Sequence, residues 1–401
     1  MNIKIIILNL AWPLTLLLAW LAGEIGYRWM KLPRISIYAV VGFILAQSQV
    51  GLLPHAPSNT LLLLANIAFG LILFEAGYYI NLHWLRTNPW IGITSLVETT
   101  LTFGAVYALA YGFGLPAITA FLLATLAMAT SPATVVRIVH EQRSAGQVTE
   151  RALHLSVLNC VLAVLVFKMV IGLSIFKVSD SLGSSAYNNL LVLLISLALG
   201  ASFGVIIPML LRAIHRTHQD CTLVFALSVI FLVALTHNLK LSPIIATLTF
   251  GLVTRHRRII LNPSQRGFGV LGDLLAILLF VFIATTLEWQ KVYAGILLGL
   301  SLIVVRFLAK TIGISLFARF SGITCRKGLL VSLAITPISA FVILVLEQTR
   351  YLGINLFDQL APLAAIALIM EIFGPIFVQR ALYLANEVPS VKEPSYVDRA
   401  V

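Results

Sequence analysis

Long runs of apolar residues follow one another along almost the whole 401-residue chain, and the polar stretches between them are short. Most runs approach the roughly 20 residues that a helix needs to cross a lipid bilayer. The pattern therefore predicts a bundle of membrane-spanning helices rather than a set of soluble domains. The thirteen predicted spans are residues 3–22, 36–53, 60–80, 90–112, 117–139, 151–173, 188–211, 221–237, 241–254, 270–287, 292–317, 328–346 and 360–380.

The composition agrees with a membrane protein and argues against several other classes. Only 10% of the residues are charged, whereas about a quarter are charged in a typical soluble domain. The three cysteines have no C-x-x-C spacing, so the sequence predicts neither a disulfide framework nor a zinc module. The net charge of +12 comes from short basic clusters between apolar spans, such as residues 255–258. We therefore expect contact with anionic lipid headgroups, and no nucleic acid, metal or cofactor.

The distribution of lysine and arginine predicts an orientation. The loops that follow odd-numbered spans, with the span ends that border them, Arg380 and the tail at 381–401, hold nineteen of these residues, and the opposite side holds five. Basic residues are enriched in cytoplasmic loops of membrane proteins. We expect the N-terminus outside, a short cytoplasmic tail, and a location in a bacterial inner membrane.

Two of the spans contain matching interruptions. The fifth span includes Thr130-Ser131-Pro132, and the twelfth includes Ile335-Thr336-Pro337. Proline removes a backbone donor and clashes with the preceding turn, so both helices should bend or break there. Each motif alone would be compatible with a harmless kink. Paired broken helices that run in opposite directions are typical of secondary transporters built from inverted repeats.

Polar residues in several spans lie at a similar depth, eight to eleven positions from the predicted cytoplasmic ends. Ionisable side chains are costly in hydrocarbon and are therefore candidates for function. Glu98 and Arg306 are predicted to form either a structural pair or part of an ion-handling site. Glu371 either tethers the neighbouring broken helix or carries a proton, and Lys310 is expected to extend toward the inner interface. The residues at this depth are Glu98, Thr130, Asn159, Arg306, Thr336 and Glu371.

Short segments at 32–33, 41–46, 73–77, 129–133, 239–243, 335–337 and 371–375 are spread over nearly the whole chain. In order and spacing they resemble the monovalent cation–proton antiporter superfamily, which includes sodium/proton exchangers and potassium-efflux relatives. The resemblance implies a homodimer that works by elevator-like alternating access. It also implies a core domain with two crossed broken helices, beside scaffold helices that form the dimer. The implied ranges are 1–80 and 221–287 for the scaffold, 90–173 and 292–380 for the core, and 188–211 for a linker helix.

The resemblance also implies which residues form the site. Thr130, Ser156 and Asn159 would line it, and Arg306 would match the basic residue that organises it. The chain departs from the family at Cys160, where typical members have an aspartate that binds cation and proton in turn. A thiol in apolar surroundings stays protonated and is a poor ligand for a hard cation. The full set of candidates is Thr130, Ser131, Ser156, Asn159, Cys160 and Thr336 for binding, and Glu98, Arg306, Lys310 and Glu371 for proton coupling or charge tuning.

These observations favour a secondary transporter that exchanges a monovalent cation, Na⁺ or K⁺, for a proton. In this hypothesis Glu98 carries the proton and Arg306 stabilises its charged form. Because Cys160 replaces the aspartate, two alternatives stay open: transport of an anion or another solute, and a sensor or scaffold that does not transport. An enzyme is not expected, since the sequence has no nucleophile–base set and no phosphate-binding loop.

Overall fold

The computed structural model describes residues 3–53, 59–175, 182–213, 221–257, 268–339, 342, 344 and 361–389. Every regular element in this part of the chain is a helix, which confirms the predicted all-α class. In chain order the helices are α1 Ile3–Met30, α2 Arg34–Leu45, α3 Asn59–Tyr79, α4 Leu82–Thr87, α5 Trp90–Gly112, α6 Ala117–Met128, α7 Pro132–Gln142, α8 Gln147–Ile175, α9 Leu182–Ala213, α10 Cys221–Asn238, α11 Pro243–His256, α12 Gly269–Thr285, α13 Trp289–Ala318, α14 Cys325–Ala334 and α15 Ala361–Leu384.

Several predicted boundaries need correction. The second predicted span continues to residue 53, but α2 ends at Leu45, where Ala46 adopts an extended backbone and the chain turns. Conversely, α1 continues to Met30 instead of ending at residue 22. The short helix α4 was not predicted. It begins where the side chain of Asn81 accepts hydrogen bonds from the next turn's backbone N–H groups, which is the usual way to start a helix.

Eight described helical segments are long and apolar enough to cross a membrane, and three shorter ones are also apolar. The total of thirteen spans stays a prediction. Most of the C-terminal half of the twelfth predicted span, and residues 390–401 of the predicted tail, lie outside the described residues.

Two groups of helices pack closely among themselves. One contains α3, α9, α10 and α11, and the other contains α5, α6, α13, α14 and α15. In the first group α3 and α11 lie unusually close together at Gly251. A Cβ atom added to this glycine would lie 2.0 Å from the backbone oxygen of Phe74. Contacts this short do not occur between real atoms, so the approach of α3 to α11 requires glycine at this position.

We expect Gly251→Ala to destabilise the protein, because the new methyl group must push α11 away from the backbone of α3. Overpacking of this kind typically costs about 1–3 kcal/mol. Gly104→Ala in α5 is the matched control, since a Cβ added there meets nothing within 4 Å. The apparent Tm in detergent should fall for Gly251→Ala and stay the same or rise slightly for Gly104→Ala. Equal Tm values for both variants would contradict the close packing.

Candidate ion-binding site

The two predicted helix breaks are present, and they meet. Helix α6 ends at Met128, and α7 begins at Pro132 with Ser131 as its N-cap, whose hydroxyl accepts a hydrogen bond from the backbone N–H of Thr134. Helix α14 ends at Ala334, just before Pro337. The backbone N–H of Ser131 donates to the carbonyl of Pro337 at 3.0 Å. The two interrupted segments therefore contact each other directly at their breaks.

Arg306 holds the carbonyl ends of both interrupted helices. Its side chain is almost completely buried. It donates to the carbonyls of Ala127 at 2.7 Å and Ala129 at 2.9 Å in the first break. In the second break it donates to Thr336 and, at 3.5 Å, to Pro337. Carbonyls at a helix C-terminus lack partners within the helix and carry partial negative charge. The guanidinium supplies both the missing donors and a compensating positive charge.

Lys310 and Glu98 form an ion pair with no solvent exposure. The lysine Nζ contacts Glu98 Oε1 and also donates to the hydroxyl of Thr130 at 3.1 Å. The second carboxylate oxygen of Glu98 is buried and has no hydrogen-bond partner among the described residues. Helices α5 and α13 come together here because position 313 is glycine, where an added Cβ would lie 2.7 Å from the Cα of Glu98.

Asn159 joins a third helix, α8, to this pair. Its Oδ1 accepts a hydrogen bond from Ser95 at 2.8 Å, and its Nδ2 donates to the Thr130 hydroxyl at 3.2 Å. The Thr130 oxygen therefore accepts from both Asn159 and Lys310, and its hydroxyl lies 3.4 Å from the carbonyl of Ile335. Thr130 thus connects the ion pair, α8 and the second break.

The remaining candidates, Ser156, Cys160, Thr336 and Glu371, are all buried, each in its own surroundings. Ser156 donates to a carbonyl of its own helix at 2.9 Å, and the Thr336 hydroxyl does the same at 2.6 Å. Cys160 is fully buried, with its sulfur 3.9 Å from the hydroxyl of Ser339. Glu371 in α15 is buried and its Oε1 has no hydrogen-bond partner among the described residues. One turn further along α15, Gly374 packs against Pro337.

One sequence-based alternative and one expectation need correction. The direct pair of Glu98 with Arg306, which was one of two alternatives, is not formed, because one Glu98 oxygen contacts Lys310 and the other has no partner in the described part of the chain. Lys310 does not extend to the inner interface, since it is fully buried against Glu98. The sequence reasoning also missed Ser95. It precedes Glu98 by three residues, so the two side chains share a face of α5, and this spacing was the available signal.

A partly open cavity of about 630 Å³ lies beside α7, at the end of the bundle where that helix finishes. Ion pairs line it. Arg137 of α7 bonds to Asp273 of α12 at 2.8 Å, and Glu141 of α7 bonds to Arg34 of α2 at 3.2 Å. On α7 the cavity contacts the C-terminal half of the helix, from Arg137 onward, and its lining residues do not include those of the two breaks or of the ion pair. Within the described residues no cluster of three or more metal-binding side chains occurs.

Residues 14–382 match the model of the transmembrane domain of sodium/hydrogen exchangers. The chain belongs to this family. The match covers more than nine-tenths of the chain, so the family membership expected from the sequence is confirmed, and the chain is an integral membrane protein.

Individual relatives are distant, and their matches cover from 59% to 97% of this chain. The chain is 24% identical over 398 residues to the ammonium/H⁺ antiporter subunit AmhT of Alkalihalophilus pseudofirmus, covering 97% of both chains. It is 27% identical over 245 residues to the low-affinity Na⁺/H⁺ antiporter NhaS1 of Synechocystis, covering 59% of this chain and 45% of that relative. The structure of the sodium proton antiporter MjNhaP1 from Methanocaldococcus jannaschii at pH 8 superposes with a TM-score of 0.69 at 17% identity, covering 94% of this chain and 99% of that one. This likeness establishes a shared fold.

Proposed function

We propose that this protein is a monovalent cation:proton antiporter in which the transported cation and the proton on Lys310 compete for Glu98. The observation that carries the proposal is the fully buried Lys310–Glu98 pair at the crossing of the two helix breaks. The curated relatives are named as cation:proton antiporters, and the family membership supports the same activity.

Charge explains why the two ions exclude each other. With Lys310 protonated, the buried site holds two positive groups, Lys310 and Arg306, and one negative group, Glu98. A further cation beside Glu98 would add a third positive charge in a medium that screens poorly. The cation can bind when Lys310 releases its proton and leaves the carboxylate. The lysine then becomes a neutral amine, the carboxylate exchanges one positive partner for another, and the total charge stays constant.

Because the total charge of the site stays constant, one cation exchanges for one proton. The site described here has a single carboxylate bound to a single titratable lysine, and the sulfur of Cys160 adds no charge at the position of the family's aspartate. Arg306 does not take part in the exchange, because its donors are already bound to carbonyls of both breaks. One cation therefore replaces one proton, and the exchange carries no net charge.

The same contacts disfavour the alternative of an anion carrier. An anion needs donors or positive charge that are available for binding. Arg306 is bound to carbonyls, and Lys310 is bound to Glu98 and Thr130. An anion could bind Lys310 only after the ion pair is broken, and Arg306 only after it leaves the carbonyls.

We further propose the arrangement of the chain around the site. The residues of the ion pair, the two breaks and Arg306 all fall within the proposed core, whose helices α5, α6, α13, α14 and α15 pack on one another. Helices α3, α10 and α11, which belong to the proposed scaffold, also pack together. This packing supports a separate scaffold. In the proposed orientation the cavity beside α7 faces the cytoplasm of a bacterial cell, and two protomers associate through their scaffolds. The proposed ranges are 90–173 and 292–380 for the core, 1–80 and 221–287 for the scaffold, and 188–211 for the linker.

The proposal is tested by flux in reconstituted liposomes that contain a pH-sensitive dye. Addition of Na⁺, K⁺ or another monovalent cation outside acid-loaded vesicles should cause internal alkalinisation with the wild-type protein. Glu98→Gln removes the charge for which the two ions compete, so its exchange should fall to the level of protein-free liposomes. Full exchange by Glu98→Gln would reject the proposal.

A further inference from the structure

We infer that the site prefers ammonium and cations of similar size, such as K⁺ and Rb⁺, over the smaller Na⁺ and Li⁺. This inference rests on the proposed exchange at Glu98 and concerns the class of cation that the same site accepts. Its starting point is the group that occupies the carboxylate in the structure, which is itself an ammonium.

Lys310 acts as an ammonium ion attached to the chain. Its Nζ carries three N–H donors and one positive charge. The Nζ donates hydrogen bonds to two acceptors, Glu98 Oε1 and the hydroxyl oxygen of Thr130. A free NH₄⁺ has the same donors, charge and head-group size, with a fourth N–H in place of the lysine stem. The acceptor directions that suit Lys310 are therefore already correct for NH₄⁺ when the lysine withdraws.

The oxygen atoms near the carboxylate are few. When Lys310 leaves, Glu98 offers two oxygens, one of which has no other partner among the described residues, and Thr130 offers one lone pair. Asn159 contributes no further oxygen, because its Oδ1 accepts from Ser95 and its NH₂ group points at Thr130. Three acceptor positions suit a tetrahedral donor such as NH₄⁺.

A small hard cation gains less from this set. Hard cations require several oxygen ligands to replace the water that they lose, and the cost of losing water grows as the ion becomes smaller. The family's aspartate would add two such oxygens. Here that position is Cys160, whose thiol faces Ser339 and is a poor ligand for a hard ion. The shortage of oxygen ligands therefore weakens the binding of Li⁺ and Na⁺ most, and that of K⁺ and Rb⁺ less.

Competition for rubidium uptake tests the inference. Radioactive Rb⁺ uptake into strongly buffered, acid-loaded proteoliposomes is measured with NH₄⁺, K⁺, Na⁺ or Li⁺ added outside. Because NH₃ crosses membranes, an internal pH dye and protein-free liposomes must show that the competitor leaves the pH gradient intact. We expect NH₄⁺ and K⁺ to inhibit at roughly tenfold lower concentrations than Na⁺ and Li⁺.

The possible outcomes separate this inference from the proposed function. Inhibition by Na⁺ or Li⁺ at equal or lower concentrations, or uptake of radioactive Na⁺ without uptake of Rb⁺, overturns the selectivity and leaves proton-coupled exchange in place. No pH-driven uptake of any cation rejects the exchange itself, and the selectivity with it.

A substitution at Cys160 tests the reason for the preference. Cys160→Asp supplies the missing carboxylate and should reduce the preference for NH₄⁺ over Na⁺, whereas Cys160→Ala is neutral, adds no oxygen and should retain the order of cations. An unchanged ratio in a folded Cys160→Asp protein would overturn the argument from oxygen ligands. A neutral variant that adds an oxygen, Cys160→Asn, provides the same test if the aspartate prevents folding.

Discussion

Replacing Lys310 with methionine is expected to abolish exchange and to destabilise the protein by about 3–5 kcal/mol, the usual cost of removing one partner from a buried ion pair. The cost arises because Glu98 stays in a site with no solvent exposure and loses its positive partner. Thermal unfolding in detergent measures the stability, and alkalinisation of acid-loaded proteoliposomes measures exchange.

The double variant Glu98→Gln/Lys310→Met distinguishes this pair from two independent contributions. Removing both charges leaves no uncompensated ion, so the double variant should be more stable than either single variant. It should nevertheless remain inactive, because nothing is left for which cation and proton compete. Additive losses of stability, or exchange by Lys310→Met, would show that the pair is not the coupled unit described here.

Arg306→Met should also cause a large loss of stability. Its side chain is the donor for carbonyls in both helix breaks, and methionine would leave Ala127, Ala129 and Thr336 with buried acceptors that have lost this partner. Each unsatisfied group costs about 1–3 kcal/mol, so the total should reach about 3 kcal/mol or more. Exchange should be lost with it, because the two breaks no longer hold their positions around the ion pair.

Arg319→Met provides the control for Arg306 on the same helix. Arg319 lies at the end of α13 and is exposed, so its replacement should change the stability by no more than about 0.5 kcal/mol. Arg306→Lys keeps the charge but cannot reach carbonyls on both breaks at once, and should recover only part of the stability. If Arg306→Met unfolds at the same temperature as Arg319→Met, the bridging role of Arg306 is wrong.

The helix breaks were predictable from the sequence because their cause is local. Proline next to small polar residues interrupts a helix wherever it lies, and both interruptions occur at the predicted positions, before Pro132 and around Pro337. The end of α2 was less predictable. The predicted span continues to residue 53 across Gln47-Ser48-Gln49, but the backbone turns after Leu45 and its groups form local hydrogen bonds there.

The partner of Glu98 could not be predicted from depth alone. Arg306 and Lys310 are four residues apart, so they lie on the same face of α13 at nearly the same level. The outcome depends on contacts between distant segments. Arg306 reaches the carbonyls of two broken helices, whereas Lys310 lies one turn further along, where Gly313 lets α5 approach closely. Both contacts join segments that are far apart in the sequence, so they can be recognised only in the folded structure.

Counting the protons released on cation binding tests the central claim most directly. Purified protein in weakly buffered detergent solution is titrated with KCl or NH₄Cl while a pH dye records released protons, and the same titration is repeated with Lys310→Met. Competition between the cation and the Lys310 proton predicts release of about one proton per bound cation by the wild type and none by Lys310→Met. Cation binding to the wild type without proton release, or undiminished release by Lys310→Met, would contradict the account.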